Sequence, residues 1–209
     1  MAKTSGSNSK PPKSGGLREN DSNYKGKVGK IESLTSISNP AVYKSVKEGI
    51  SRFHSVLGVR QKDIKIATLE AGVGGVHITA NGVSKQVVLN KSVFNGKGTT
   101  TQSIAKWAEA GYKSGHLTKT NKPVAHIITH ELAHATWNES LTAPNVRAAS
   151  KSVNSLYNKW KGDSKKSGYG NYAKTNVNEF FAEVSTKAVH GTADKYTKSL
   201  KSIIQKYKL

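Results

Sequence analysis

The sequence between Ile127 and Trp137 is mostly apolar, but two histidines and a glutamate interrupt it in the segment HELAH (130–134). An apolar run of this length predicts a helix that lies inside a domain. Residues four apart share one face of a helix, so His130 and His134 project side by side, about 6 Å apart along the axis. Since carboxylates are rarely buried without a partner, the fold must surround this helix with groups that satisfy it.

This spacing has a chemical meaning. Two imidazoles on one helical face can each reach a single Zn²⁺ at about 2.0–2.1 Å. Glu131 lies one residue further round, where a carboxylate can take a proton from water and pass it to a leaving amine. The competing interpretation is a pair of hydrogen-bonded core histidines with a solvated glutamate. His126 extends the row, but the face drifts about 40° per step, so we place it at the helix surface or behind a ligand.

A third ligand must come from elsewhere in the chain. The extended pattern HExxHxxGxxH is absent, because Trp137 and Ser140 stand where it needs Gly and His, and the chain has no cysteine. Glu179 and Glu183 lie four apart in a segment with an apolar side, so they share a helical face. One can ligate a metal while the other orients a ligand histidine through its ring N–H. The alternative is an ordinary surface helix with two acids.

Residues 172–183, YAKTNVNEFFAE, carry a family resemblance. They resemble the Y-x-x-T-N-x-x-E-F-F-A-E segment of gluzincin metallopeptidases of the anthrax lethal factor type. They are also similar to metallopeptidase domains encoded in phage head-morphogenesis regions and in bacterial polymorphic toxins. The resemblance covers roughly residues 120–190 and includes the HExxH motif and the 45-residue step from His134 to Glu179. Leu132-Ala133 replace the Phe-Gly pair of lethal factor, which leaves the metal site intact.

The resemblance implies a zinc-dependent endopeptidase, a hydrolase that cleaves peptide bonds with a zinc-activated water. The roles it implies are zinc ligands His130, His134 and Glu179, general base Glu131, hydrogen-bond donor Tyr172, and Glu183 as the carboxylate behind a ligand histidine. A phenol near the metal can stabilise the oxyanion that forms when water attacks a carbonyl. A turn tyrosine in a glycine-rich loop is the competing interpretation of Tyr172, which then has no part in catalysis.

The net charge of +20 comes from 29 lysines and 4 arginines spread along the chain. Such a surface favours non-specific contact with polyanions, including DNA, as well as an acidic protein or peptide substrate. The alternative function is therefore a non-catalytic phage virion-structural or nucleic-acid-binding protein on a zincin fold. No Sec signal peptide and no apolar stretch of about 18 residues is evident. We expect a cytoplasmic or virion-associated location, or export by a non-Sec route.

The chain predicts a disordered basic tail over residues 1–35 and one zincin-like metallopeptidase domain over residues 36–209. The expected fold is α+β, with a small antiparallel sheet packed on the HExxH helix and a C-terminal helical part. Strands are predicted at 64–69, 76–80 and 85–90, the last two joined by a hairpin turn at 81–84. Residues 87–94 are either the edge strand that a peptide substrate joins or an internal strand. Helices are predicted at about 40–57, 101–112, from about 121 through the HExxH motif, at 144–161, around Glu179, and at the C-terminus.

Overall fold

The computed structural model describes residues 26–80, 83–140, 145–163 and 168–209, and only the backbone at residues 79–80, 83–85 and 139–140. Most of the predicted basic tail lies outside these residues, as do Asn81-Gly82 of the predicted turn and the predicted helix start at Pro144. Residues 26–35 are described: the Gly29 amide donates to the Thr68 carbonyl at 2.9 Å, and residues 32–33 belong to the sheet.

All the strands that the structure describes lie before residue 91, three of them in succession after the first long helix, and only helices follow among the described residues. The strands are β1 (Glu32–Ser33), β2 (Ile64–Ala67), β3 (Gly75–Ala80) and β4 (Val83–Asn90). The helices are α1 (Pro40–Leu57), α2 (Lys91–Phe94), α3 (Thr101–Lys113), α4 (Pro123–Ser140), α5 (Val146–Gly162), α6 (Val177–His190) and α7 (Lys195–Tyr207). The predicted α+β class is confirmed, and the helix predictions agree with α1 and α3 to α7.

The sheet is mixed, so the prediction of an antiparallel sheet is wrong. Its order is β1-β2-β4-β3, in which β2 and β4 are parallel while the two outer strands are antiparallel to their neighbours. The β3–β4 pair is a hairpin, as predicted, with a register shift at Ile78 and Thr79. The chain runs from β2 to β3, on the far side of β4, and then turns back into β4. Because β3 reverses the chain direction, β4 can run parallel to β2.

The edge strands of the sheet are β1 and β3, and the segment 87–94 is at neither edge. The first part of this segment lies in β4, which pairs with β2 on one side and β3 on the other, and its end, including Phe94, belongs to α2. Val87, Val88 and Leu89 are all fully buried, because an internal strand with both faces covered has no polar side. The alternative of an internal strand is therefore correct.

Helix α1 begins and ends where its sequence indicates. The Asn39 side chain accepts from the Ala41 and Val42 amides, Pro40 occupies the first turn, and Gly58 ends the helix with φ +70°. These are the preferred cap residues, since a short polar side chain satisfies free amides and glycine adopts the left-handed conformation at low cost. The capped helix packs its apolar face on α4, where Gly49 allows Ala125 to approach closely.

Helix α4 is the centre of the molecule. It contacts α1, α3 and α6 as well as strands β3 and β4, and it is buried on nearly all sides between residues 125 and 137. A helix enclosed in this way places its few polar side chains inside the protein, where each needs a partner. No helix in the described ranges is both long enough and apolar enough to cross a membrane.

Helix α7 closes the C-terminal side and is fixed to the loop before α6 by Asp194. That carboxylate caps the helix by accepting from the Tyr196 and Thr197 amides, both at 2.9 Å. It also accepts from the Tyr169 hydroxyl at 2.8 Å and from Lys187 Nζ at 2.9 Å. Burial opposes its ionisation, but these bonds prevail and lower the pKa of Asp194.

Candidate metal centre

Three side-chain atoms from two helices meet in a small triangle. His134 Nε2 lies 3.1 Å from His130 Nε2. Glu179 Oε2 lies 3.2 Å from His130 Nε2 and 3.4 Å from His134 Nε2. Donor atoms bound to one tetrahedral ion at about 2.0–2.1 Å would lie about 3.3–3.4 Å apart. The three atoms therefore have the separations of one face of a tetrahedral zinc site, and these buried groups could hold a metal ion.

The ring orientation of His130 makes this triangle chemically specific. Its other nitrogen, Nδ1, lies 3.0 Å from Glu183 Oε1, and an ionised carboxylate only accepts. In the neutral ring the proton is therefore on Nδ1, and the lone pair of Nε2 points towards Glu179 and His134. A lone pair and a carboxylate oxygen that converge on one point in a buried site favour a cation there, which is a proton in the metal-free protein and can be a metal ion.

Glu179 reaches the site because α6 begins two residues before it. The Asn176 side chain caps α6 by accepting from the amides of Asn178 and Glu179, both at 2.9 Å. Burial opposes ionisation of the Glu179 carboxyl, but His134 and His130 outweigh it and lower its pKa to about 2. A carboxylate in the first turn also faces the positive end of the helix, which favours its charge.

Glu183 lies one turn further along α6 and is completely buried. Its Oε2 accepts from the Thr118 amide at 2.6 Å, while Oε1 faces His130 and, at 3.5 Å, His126 Nε2. Burial opposes ionisation, but hydrogen bonds with His126 and His130 hold the pKa of Glu183 well below its usual range. Glu183 therefore stays an anion whose position is fixed from two sides.

His126 belongs to this network rather than to the helix surface. Its side chain is 1% exposed, with Nε2 facing Glu183 and Nδ1 3.2 Å from the Tyr112 hydroxyl. That hydroxyl also lies 2.9 Å from Thr120 Oγ1, and burial raises the pKa of Tyr112 to about 12. The outcome agrees with the alternative that placed His126 behind a ligand.

A second group of donors, His126, His130 and Glu183, is also close enough to hold a metal ion. It uses the Nδ1 atom of His130, whereas the triangle uses Nε2. A neutral imidazole has one lone pair, so His130 can serve only one of the two groups at a time. The Thr118 amide already binds Glu183 at 2.6 Å, so we assign Glu183 the role of orienting His130. The better candidate for a metal ion is then the triangle of His130, His134 and Glu179.

Tyr172 lies against His130. The two rings stack with centroids 5.6 Å apart and an angle of 12° between planes, and the His116 ring covers Tyr172 at 4.8 Å. Tyr172 lies on a short 3-10 helix, Asn171–Lys174, and is 7% exposed. The structure thus brings this tyrosine to the predicted site, on the face of a candidate ligand.

The loop that carries Tyr172 is fastened to residues 115–118 by its backbone. The Asn171 amide donates to the Gly115 carbonyl at 2.7 Å and the Tyr172 amide to the His116 carbonyl at 3.0 Å. Gly170 is needed at this contact, because a Cβ there would lie 2.2 Å from the His116 carbonyl oxygen. The glycine-rich sequence before Tyr172 therefore allows close backbone approach, which is a structural reason for its composition.

Glu131 occupies the side of α4 that faces the edge strand. A Cβ built on Gly75, the first residue of β3, would lie 2.9 Å from Glu131 Cγ. Gly75 thus makes room for the candidate general base. Two residues along the same face of β3, His77 is 1% exposed, and its Nδ1 lies 2.9 Å from Asn138 Nδ2 of α4. Burial and the nearby His134 lower the pKa of His77 to about 3, so it is neutral.

All six predicted site residues lie in or beside this centre: His130, Glu131, His134, Tyr172, Glu179 and Glu183. Sequence reasoning did not find Thr118, Gly75 or His77, and it assigned no role to His116. No motif marks these positions, because tertiary packing brings them to α4 and α6. For Gly75 the sequence did contain a signal, because a glycine pair at the start of a strand often marks a close approach of another part of the chain.

Comparison with known proteins gives no further assignment. No protein-family model, no curated protein and no solved structure matches this chain.

Proposed function

We propose that the protein is a zinc-dependent endopeptidase of the gluzincin type, resembling the lethal-factor metallopeptidases. The observation that carries the proposal is the triangle of His130 Nε2, His134 Nε2 and Glu179 Oε2, whose sides of 3.1, 3.2 and 3.4 Å fit a tetrahedral zinc ion. Two imidazoles and one carboxylate leave a fourth position open for water, as catalytic zinc sites require. Purely structural sites are closed by a fourth protein ligand, and no cysteine is present.

In this proposal the side chains divide the work of hydrolysis. Bound zinc supplies a Lewis acid that lowers the pKa of water and polarises the scissile carbonyl. Glu131 takes a proton from the attacking water and delivers it to the leaving amine. Tyr172 donates its hydroxyl proton in a hydrogen bond to the carbonyl oxygen as negative charge develops there. Glu183 holds the ring of His130 so that Nε2 keeps facing the metal.

The outer edge of β3, which pairs with β4 alone among the strands that the structure describes, is the proposed binding place for the substrate backbone. A peptide can join an exposed strand through main-chain hydrogen bonds, which position it without strong demands on its side chains. Gly75 and His77 of this strand face α4, so an added strand would lie beside the Glu131 side of the metal centre. In this proposal β3 takes the role that the sequence analysis gave to residues 87–94.

The experiment is zinc analysis of the purified chain combined with the substitution Glu131→Gln. We expect about one zinc per chain in both proteins, peptide cleavage by the wild type, and no cleavage by Glu131→Gln, which removes the base and keeps the ligands. Glu109→Gln, at an exposed position on α3, is the matched control and should retain cleavage. Absence of zinc from wild-type protein purified and reloaded at neutral pH contradicts the proposal.

The alternative is a non-catalytic virion-structural or nucleic-acid-binding protein, and the net charge of +20 is the observation that favours it. It predicts DNA binding that weakens steeply with salt and does not depend on zinc. If the zinc-loaded wild type cleaves nothing across a broad peptide library but binds DNA tightly, this alternative replaces the peptidase proposal.

A further inference from the structure

A second cleft lies on α4, at its N-terminal end. Its volume is about 500 Å³, within the range of small-molecule sites, and its walls are one side of α1, residues 122–125 and His190 at the end of α6. Pro123 begins α4 seven residues before His130, so at 1.5 Å per residue the cleft lies about 10 Å along the axis from the metal donors. The two sites therefore have separate linings on one helix.

His190 is the unusual residue of this cleft. It is 5% exposed, and neither of its ring nitrogens has a hydrogen-bond partner in the part of the chain that the structure describes. Buried polar atoms are normally paired, and an imidazole left without any partner is costly. The backbone of His190 is held by the Asn121 amide, which donates to its carbonyl at 2.9 Å and fixes the end of α6 beside the cleft.

The surroundings of His190 are positive. Arg52 and Lys122 line the cleft, and Arg52 is anchored there by an Nε hydrogen bond of 2.8 Å to the Val189 carbonyl. The first turn of α4 adds the partial positive charge of a helix N-terminus, although its Ala125 amide is engaged by the Lys122 carbonyl. Glu48 is the one acidic residue of the lining, so the two cations outnumber it.

The positive charges around His190 also affect its protonation. Burial, and after it the charges of Arg52, His126 and Lys122 in that order, lower the pKa of His190 to about 4. At neutral pH the ring is therefore uncharged, with one N–H that can donate and two cations nearby. Three serines of α1, at positions 45, 51 and 55, also line the cleft. The Ser55 hydroxyl donates to the Arg52 carbonyl at 3.1 Å, and the other two hydroxyls can donate to a ligand.

We infer that this cleft is a binding site for a phosphate-type oxyanion, free or carried by a small molecule, with Arg52, Lys122 and the His190 N–H as its donors. A tetrahedral dianion accepts several hydrogen bonds at once, which suits two charged donors, a neutral imidazole and hydroxyls. The cleft is larger than an inorganic phosphate needs, so a phosphorylated small molecule fits the volume. The inference does not depend on the proposed peptidase function.

The test is a titration of the full-length, zinc-free protein with inorganic phosphate, in which chloride keeps the ionic strength constant. Binding is followed by calorimetry and by NMR of the His190 ring, assigned with His190→Gln. We expect saturation at one phosphate per chain and a rise in the pKa of His190, because a nearby dianion favours the charged ring. Lys122→Gln and Arg52→Gln should each weaken binding by about tenfold or more.

Lys47→Gln is the matched control, because it removes the same charge from an exposed position on α1 that does not line the cleft. It should bind phosphate like the wild type, whereas equal weakening in Lys47→Gln and Lys122→Gln would reduce the effect to overall charge and overturn the inference. Absence of saturable binding also overturns it. Zinc content and peptide cleavage are measured separately in Lys122→Gln, and we expect both to be unchanged.

Discussion

Glu183 Oε1 lies 3.0 Å from His130 Nδ1, on the side of the imidazole opposite to the nitrogen that meets Glu179 and His134. One carboxylate of α6 thus faces the candidate ligand position directly, and a second, one turn later, fixes the ring from behind. This division of roles between two acids four residues apart leads to the first prediction.

Glu183→Gln should lower zinc affinity by about 10- to 100-fold, because the amide would present N–H groups to His130 or to the Thr118 amide, both of which need an acceptor. Affinity is measured by competition with a chelator of known strength. Glu109→Gln, which changes an exposed acid on α3, provides the reference value. Unchanged affinity in Glu183→Gln would mean that His130 is oriented without this carboxylate.

Tyr172→Phe separates the two interpretations of that tyrosine. The phenyl ring keeps the stacking on His130, so zinc content should not change. If the hydroxyl stabilises the developing oxyanion, kcat should fall by about 10²- to 10³-fold with little change in KM. Steady-state kinetics on a cleaved peptide provide the measurement, and a wild-type kcat would leave the tyrosine with a packing role.

Gly75→Ala should impair cleavage while the protein remains folded and zinc-loaded. The added methyl group would lie 2.9 Å from Glu131 Cγ and 3.3 Å from the Val88 carbonyl oxygen, so either the base or the edge strand must move. Gly162→Ala is the matched control, since nothing lies within 4 Å of its added Cβ. Full activity in Gly75→Ala would show that Glu131 tolerates the displacement.

Zinc affinity should fall as the pH is lowered. In the metal-free protein, burial lowers the pKa of His130, but Glu179 and Glu183 outweigh it and raise the pKa well above its ordinary value. Zinc must then displace a proton, so below this pKa affinity drops about tenfold per pH unit for each proton released. Competition titrations near pH 6, 7 and 8 measure this slope, and a flat profile would contradict the proton displacement.

Asp194→Asn should lower the free energy of unfolding at neutral pH by about 1 kcal/mol, since the amide keeps the helix cap but loses the ion pair with Lys187. The pKa of Asp194 is lowered in the folded protein. Its ionised form therefore adds stability above the unfolded pKa, and this contribution disappears as the pH falls through the folded pKa. Urea unfolding at pH 7 and about pH 3 should show the gap between the two proteins close in acid.

The sequence predicted those features that depend on local spacing. Asn39 and Gly58 delimit α1, and the four-residue steps His130–His134 and Glu179–Glu183 place side chains on common faces. Strand order did not follow from the sequence, because β2 pairs in parallel with a strand about 20 residues later, and periodicity carries no information on such pairing. The unbroken apolar run at 87–89 was nevertheless a sign of an internal strand.

The supporting residues of the candidate metal centre could not be predicted for a related reason. Thr118 touches Glu183 of α6, and Gly75 touches Glu131 of α4, only because the fold brings distant segments of the chain together. His126 was visible as part of a row of histidines, but its buried position next to Glu183 depends on how α6 packs against α4. Long-range packing, not local propensity, decides these contacts.

The short segment 115–118 sets a limit on how the chain can vary. Its first two carbonyls hold the backbone of residues 171 and 172, and its last amide holds Glu183, so both the stacked face and the rear of His130 depend on one stretch of four residues. An inserted or deleted residue here would put one of the two attachments out of register. The length of this loop therefore cannot change without releasing His130, the candidate ligand.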